Sequence, residues 1–261
     1  MPKPKASKKD LPRQPQSQPQ QQAPNWPPLR PLIPSSDLVL ESLLPDQIYL
    51  IRNFLPASLC KTYVSFLSSL PLITTPGKPK KGDAVRVNDR FQIQDATFAE
   101  NLWRGTALRE LVTNPVVAEE EEEEEEEEGN AEGGRPMKEV WGGDPLGLNA
   151  NIRVYRYSPG QFFAQHYDDS NTLSFLSPST PPKPARTTWT LLIYLSTCTG
   201  GETVFYPEPT RANRNPEPIS VGPEMGMALL HRHGDRCLLH EGKEVTGGEK
   251  WVLRSDLVVA R

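Results

Sequence analysis

The four histidines of the chain all lie in its second half, and the first belongs to an H-x-D motif, His166-Tyr167-Asp168. Side chains two residues apart in a β-strand point to the same side, so an imidazole and a carboxylate can face one cavity together. His240 follows 72 residues after Asp168, in another predicted strand. His166, Asp168 and His240 are therefore candidate ligands of one metal ion.

Two histidines and one carboxylate on one side of a metal ion leave its other coordination positions open, as in non-haem Fe(II) oxygenases. An H-x-D motif with a distant histidine also occurs by chance, and single histidines more often have structural roles. We expect structural roles for His231 and His233, which flank a predicted turn. Cys237 is expected to point away from His240 by strand parity, which argues against a thiolate ligand.

The predicted strand 249–259 carries two cations on one face. Lys250, Val252 and Arg254 share this face by period two, and the opposite face is apolar: Trp251, Leu253, Leu257 and Val259. A surface strand with both cations in solvent is the alternative, but apolar residues on both faces argue against full exposure. Because a buried cation without a partner is costly, an inward-facing pair of cations implies an anionic ligand.

Further motifs follow one another in a fixed order: Val154-x-x-Tyr157-Ser158-Pro159-Gly160-Gln161-Phe162-x-x-x-His166-x-Asp168, Gly200-Gly201-Glu202-Thr203-Val204-Phe205, Gly226 through Leu230, and His240-Glu241-Gly242-x-x-Val245-x-x-Gly248-x-Lys250-Trp251. Together they resemble the Fe(II)- and 2-oxoglutarate-dependent dioxygenases, and among these the prolyl 4-hydroxylase-like catalytic domain. The resemblance covers residues 148–259 and extends weakly to Arg52-Asn53-Phe54-Leu55. It is specific for fold and cofactor and does not identify the substrate.

The resemblance implies roles for individual residues. His166, Asp168 and His240 would ligate Fe(II), and Lys250 would pair with the distal carboxylate of 2-oxoglutarate. Tyr157 matches a tyrosine that commonly donates a hydrogen bond to this co-substrate. Related oxygenases use arginine for the salt bridge, so Arg254 is expected as a second contributor beside Lys250 or as a water-mediated partner of the same carboxylate.

The resemblance also implies the reaction. O2 would oxidise both 2-oxoglutarate, which is decarboxylated to succinate, and a substrate, which is hydroxylated; ascorbate is expected as a reductant. The substrate would be a protein side chain, such as a prolyl residue, or a small molecule. Asn88 and Arg90, in the predicted strand 85–93, are candidates for substrate contacts at the edge of the cavity.

The fold class follows from many short strands with Gly/Pro turns and no alternation of strands with helices. We predict a mainly β domain with flanking helices (α+β), and the resemblance implies a double-stranded β-helix, or jelly roll, as its core. Helix is expected over 96–113, strand over 161–168, and a Ser/Thr/Pro-rich loop over 170–186.

Composition predicts the domain organisation. Residues 1–35 are rich in Pro, Gln and Lys and are expected to form a disordered tail before a single domain at 36–261. Within that domain, 118–136 is expected to be a disordered acidic insertion, and 148–259 the metal-binding core. Without the ten consecutive glutamates at 119–128, the formal charge of −4 becomes +6, too weakly basic to predict a nucleic-acid partner.

Partners and compartment remain broad expectations. No apolar run approaches the roughly 20 residues of a membrane span. Three cysteines and a lysine-containing N-terminus without an apolar stretch favour a cytoplasmic or nuclear protein over a secreted one. Two alternatives to an oxygenase stay open: a non-catalytic jelly-roll binding module that retains the metal site, and a zinc-dependent hydrolytic β-barrel.

Overall fold

The computed structural model describes residues 22–75, 82, 84–115, 137–177, 180–211 and 213–261. The predicted acidic insertion at 118–136 and residues 1–21 of the predicted tail lie outside this part of the chain. Its α-helices are α1 (Ala57–Leu67), α2 (Ala96–Gly105), α3 (Leu108–Thr113) and α4 (Met137–Trp141). None of the described helices is long and apolar enough to cross a membrane.

Two antiparallel sheets form the core. The larger one contains β1 (Glu41–Leu44), β2 (Ile48–Ile51), β3 (Ile73–Thr74), β5 (Asp89–Gln94), β6 (Pro145–Leu148), β7 (Asn151–Tyr157), β9 (Thr172–Ser177), β10 (Thr180–Tyr194), β14 (Ala228–Arg232) and β17 (Lys250–Ala260). The smaller one contains β4 (Arg86–Val87), β8 (Phe162–His166), β12 (Thr203–Tyr206), β13 (Ile219–Val221) and β15 (Leu239–Gly242). A separate short ribbon pairs β11 (Thr199–Gly200) with β16 (Val245–Gly247). This architecture confirms the predicted mainly β, double-stranded β-helix core with flanking helices.

The strand order places β17 at the centre of the large sheet, between β10 and β7. Its alternation works as predicted. Trp251, Leu253, Leu257 and Val259 pack in a cluster with residues of α1, α2 and α3. Lys250, Val252 and Arg254 point to the opposite side, where they line a cavity between the two sheets. The helices therefore cover the outer face of the large sheet, and the inner face is left for the site.

Two predicted elements differ from the structure. Residues 170–186 are not a loop, because β9 and the first part of β10 pair there as antiparallel strands. The register of this pair shifts between Thr180 and Lys183, where two prolines stand, which is how a strand accommodates residues that cannot donate to the ladder. The helix predicted over 96–113 is two helices, since α2 ends at Gly105 and Thr106 has extended backbone.

The predicted boundary of the N-terminal tail at residue 35 is wrong. Residues 22–35 are described and several of them pack on the core, among them Trp26. The Trp26 ring stacks on Phe98 at a centroid distance of 4.1 Å, and its Nε1 donates to Asp95 Oδ2 at 2.8 Å. Tyr63 also donates through its hydroxyl to the Pro27 carbonyl oxygen at 2.8 Å. A few apolar side chains within a proline-rich segment are enough to anchor it.

Candidate metal centre and co-substrate pocket

Two adjacent strands of the small sheet bring the predicted metal donors together. His166, the last residue of β8, lies directly opposite His240 of β15 in the antiparallel register. Asp168 follows two residues later, beyond the end of the strand, while Tyr167 between them is 59% exposed. One ligand atom from each of His166, Asp168 and His240 lies within 4.8 Å of the others. The predicted set therefore converges, although the carboxylate comes from the segment after the strand.

Backbone carbonyls orient both imidazoles. Nδ1 of His166 lies 2.8 Å from the carbonyl oxygen of Ala164, and Nδ1 of His240 lies 2.9 Å from that of Leu238. A carbonyl oxygen only accepts, so each Nδ1 carries the proton and donates. Each Nε2 is then left with a free lone pair, 3.9 Å and 3.8 Å from an oxygen of Asp168. Such support from the opposite ring nitrogen is usual for metal-binding histidines.

The protonation states also suit a cation. Burial, with the nearby His240 ring, lowers the pKa of His166 to about 3, and burial lowers the pKa of His240 as well. Burial alone would raise the pKa of Asp168, but Arg254 and the surrounding imidazoles hold it well below its usual value. At neutral pH the cluster therefore offers two neutral imidazoles and one carboxylate, the forms in which these groups ligate metals.

Asp168 is held by groups of the large sheet. Its Oδ2 accepts hydrogen bonds from Arg254 Nη2 at 2.8 Å and from Thr190 Oγ1 at 2.9 Å. Thr190 in turn contacts Nδ1 of His233 at 3.0 Å, and His233 Nε2 lies 2.9 Å from Thr187 Oγ1. The contacts of His233 agree with the structural role expected for it.

The sequence led us to expect that Arg254 and Lys250 bind the same carboxylate. The structure separates the two side chains. The two residues share a face of β17 but are four residues apart, about 13 Å along a strand. They therefore reach opposite ends of the cavity, and the Arg254 guanidinium contacts Asp168 at the metal end.

Lys250 lies at the other end and is buried, with 5% of its surface exposed. Its Nζ donates to the Gly201 carbonyl oxygen at 2.6 Å and to Thr203 Oγ1 at 3.4 Å. Within the described residues no carboxylate lies within 4.0 Å of Nζ. Burial lowers the pKa of Lys250 to about 8. A buried ammonium group with only neutral partners favours an anionic ligand.

Tyr157 pairs with Lys250 across β7 and β17 and lines the same cavity. Its ring centroid lies 5.6 Å from Lys250 Nζ, and burial raises the pKa of its hydroxyl, which stays protonated and able to donate. The Tyr157 hydroxyl is therefore placed where it could donate a hydrogen bond to an anion bound by Lys250.

The two candidate substrate residues do not line this cavity. Asn88 is fully buried and interacts with the Tyr157 side chain. Arg90 lies in β5 and its Nη2 donates to Gln92 Oε1. Arg90 lies away from the cavity because β5 belongs to the large sheet, on the far side of β7 from β17. Asn88 lies between β4 and β5, and its burial leaves no surface for a substrate.

His231 belongs to the site, against our expectation of a structural role. It lines the cavity, its Nε2 is 3.7 Å from Asp168 Oδ2, and its ring centroid is 4.6 Å from that of His240. Burial and the neighbouring His240 lower its pKa, so the ring is neutral. The alternation of β14 could have indicated this position. Leu230 packs in the core on the outer face of the large sheet, so the next residue, His231, points to the inner face.

Cys237 also differs from expectation. It precedes β15, so strand parity does not apply, and its Sγ lies 3.9 Å from His240 Nδ1. His231, Cys237 and His240 form a second group of potential ligands. Burial raises the pKa of Cys237 to about 11, and its sulfur accepts the backbone N–H of Asp168 at 3.3 Å. The thiol is therefore protonated and already used to position Asp168.

Comparison with known proteins places this geometry in context. Residues 152–255 match the family model of the 2OG-Fe(II) oxygenase superfamily. No curated protein matches the chain. The match confirms the predicted resemblance and the predicted enzyme class, a 2-oxoglutarate-dependent oxygenase, and implies Fe(II) and 2-oxoglutarate as cofactor and co-substrate.

Solved structures share the fold. A viral collagen prolyl hydroxylase from Paramecium Bursaria Chlorella virus-1, in complex with 2-oxoglutarate, has a TM-score of 0.50 and 16% identity, covering 82% of this chain and 97% of its own. An oxidoreductase of the 2OG-Fe(II) oxygenase family from Burkholderia pseudomallei has a TM-score of 0.50 and 12% identity, covering 84% and 87%. At these identities the likeness concerns the fold.

Proposed function

We propose that this protein is an Fe(II)- and 2-oxoglutarate-dependent dioxygenase that hydroxylates a protein side chain, such as a prolyl residue, or a small molecule. One observation carries the proposal. The same cavity has three metal donors in their ligating protonation states at one end and, at the other, a buried lysine with no carboxylate partner among the described residues.

The donor set fits Fe(II), because two imidazoles and one carboxylate leave room for a chelating co-substrate and O2. His166, Asp168 and His240 would hold the metal. When bound, the iron supplies O2 activation, so that 2-oxoglutarate, O2 and a C–H bond become succinate, CO2 and a C–OH group. Each oxygen atom of O2 then ends in one product, one in succinate and one in the alcohol. Ascorbate would serve as a reductant that keeps the iron in its ferrous state.

The protein's own groups orient the reactants. Lys250 and Tyr157 would bind the distal carboxylate of 2-oxoglutarate from the inner end of the cavity. Arg254 and Thr190 hold Asp168 in a fixed orientation at the other end. Apolar walls from Leu192 and Val252 limit the access of water between the two ends.

Uncoupled turnover tests the proposal without knowledge of the substrate. Purified protein with Fe(II), 2-oxoglutarate, ascorbate and O2 should release succinate slowly, and the His166→Ala variant should release none above background. Lys250→Met should require more 2-oxoglutarate, whereas Lys61→Met, on the exposed surface of α1, should match wild type. Candidate peptides and small molecules are then tested for incorporation of 18O from 18O2.

Two results would contradict the proposal. Iron and 2-oxoglutarate binding without any succinate release, with or without candidate substrates, would favour a non-catalytic binding module. Retention of zinc in place of iron, with hydrolytic activity, would favour the zinc alternative.

A further inference from the structure

A second cation faces the Lys250 end of the cavity. Arg86 lies in β4, the edge strand of the small sheet, directly opposite Phe163 of β8. Its guanidinium carbon is 4.5 Å from the centroid of the Phe163 ring and 5.7 Å from that of Tyr155. Both rings line the cavity. The guanidinium group therefore packs against two rings of the cavity wall, and the Arg86 side chain is partly buried.

The Arg86 guanidinium has no hydrogen bond and no ion pair with any residue that the structure describes. Arginine keeps its charge at all physiological pH values and presents five N–H donors. The two ring contacts satisfy the cation but not those donors. Arg153, Arg156 and Arg254, which are also partly or fully buried, each pair with a carboxylate. Arg232, also partly buried, donates to the Val140 carbonyl oxygen. Arg86 differs from these four arginines because its guanidinium has no such partner among the residues that the structure describes.

The register of the small sheet shows which end of the cavity Arg86 faces. Arg86, Phe163, Gly242 and Thr203 form one row across β4, β8, β15 and β12. Lys250 Nζ contacts Thr203 in this row and lies 4.0 Å from the position that a Cβ on Gly242 would occupy. The same Gly242 position is 3.8 Å from Phe163 Cβ. Lys250 and Arg86 therefore approach the same end of the cavity from different walls.

We propose that Arg86 is a second co-substrate-binding residue, which donates hydrogen bonds to the distal carboxylate of 2-oxoglutarate that Lys250 holds from the inner wall. The inference rests on the proposed function. It assigns to Arg86 the auxiliary role expected for Arg254, whose guanidinium is occupied by Asp168. A carboxylate between an ammonium and a guanidinium group satisfies both cations, and a planar guanidinium group suits a carboxylate well.

Equilibrium binding of 2-oxoglutarate to the Fe(II)-loaded, anaerobic protein tests this role. The Arg86→Gln variant should bind 2-oxoglutarate about tenfold more weakly, the effect of losing a hydrogen bond to a charged group. Arg86→Lys, which keeps the charge, should recover part of the affinity. Arg104→Gln removes an arginine from the surface of α2, where it pairs with Glu100, and should bind as wild type does.

A second ligand separates binding from a structural effect. 2-Oxopentanoate has the same chain length but lacks the distal carboxylate, so Arg86→Gln and wild type should bind it equally. Loss of affinity for both ligands in Arg86→Gln, or unchanged affinity for 2-oxoglutarate, would overturn the proposal. If Lys250→Met weakens 2-oxoglutarate binding and Arg86→Gln does not, only the role of Arg86 fails. If the wild type binds no 2-oxoglutarate, the proposed function fails with it.

Discussion

Arg254 and Asp168 form a buried ion pair at the centre of the candidate metal site, with Arg254 Nη2 2.8 Å from Asp168 Oδ2. Thr190 donates to the same oxygen at 2.9 Å. The two donors come from the neighbouring strands β17 and β10 of the large sheet. The sheet therefore fixes both side chains, and they orient the carboxylate. We expect this arrangement to lower the cost of ordering Asp168 on metal binding.

The first prediction concerns these two supporting donors. Thr190→Val removes one hydrogen bond from Asp168 at nearly constant volume, and Arg254→Lys keeps the charge but loses the planar geometry. Each should weaken Fe(II) binding by about ten- to a hundredfold, the usual effect of losing a group that supports a metal ligand. Anaerobic titration with Fe(II) measures the affinity.

The matched control is Thr62→Val on α1, where the hydroxyl donates to the Ser58 carbonyl oxygen on the protein surface. Its Fe(II) affinity should equal that of wild type. Wild-type affinity in both Thr190→Val and Arg254→Lys would show that Asp168 needs no such support.

The second prediction is a pH dependence set by Lys250. The anionic co-substrate requires the protonated amine, and burial lowers the pKa of this amine to about 8 in the free protein. The affinity for 2-oxoglutarate should therefore be constant below about pH 8 and fall by up to tenfold per pH unit above it. In Lys250→Arg, which stays charged, this decline should disappear. Constant wild-type affinity up to pH 9.5 would contradict the assignment of Lys250.

The lowered pKa of Lys250 also affects stability: as the pH rises above about 8, the affinity for 2-oxoglutarate falls but the stability of the ligand-free protein increases. Between about pH 8 and the ordinary lysine value of 10.5, the unfolded chain binds the proton more strongly than the folded one. The free energy of unfolding of the ligand-free protein should therefore increase as the pH rises through this window, because Lys250 loses its proton more readily in the folded state. Lys250→Met should lack this contribution in urea unfolding at pH 7.5 and pH 9.5.

The third prediction concerns the N-terminal segment. Trp26→Ala removes the stacking on Phe98 and the hydrogen bond to Asp95, and it should lower the free energy of unfolding by about 2 kcal/mol. Trp26→Phe keeps the ring and should lose about half as much. Urea unfolding followed by circular dichroism measures both.

Two truncations complete this test. Deletion of residues 1–35 should destabilise the protein at least as much as Trp26→Ala, whereas deletion of residues 1–21 should leave its stability unchanged. Equal stability of both truncated forms would restore the tail boundary predicted from composition.

The sequence predicts those features that repeat along one strand or follow a fixed spacing. Period two in β17 placed Lys250 and Val252 on the inner face, and the H-x-D spacing with His240 identified the groups that converge. The contact between Arg254 and Asp168 depends on which strands are neighbours and on their register, which one strand alone does not contain. For the same reason, Arg86 could not be connected with Lys250 before the row across the small sheet was known.

Other features were obscured by composition. The Pro/Ser/Thr content of 170–186 indicated a loop, but pairing with β17 and β9 makes strands of it. The composition of residues 1–35 as a whole predicted disorder, because it gives no weight to the few apolar side chains that anchor residues 22–35. Cytoplasmic or nuclear localisation stays a prediction.

Anaerobic addition of Fe(II) and then 2-oxoglutarate tests the central claim most directly, because chelation of ferrous iron by a 2-oxo acid produces a weak visible metal-to-ligand charge-transfer band. We predict this band in wild type and its loss in His166→Ala, with both proteins folded by circular dichroism. A folded, iron-loaded wild-type protein that shows no band on addition of 2-oxoglutarate would contradict the account.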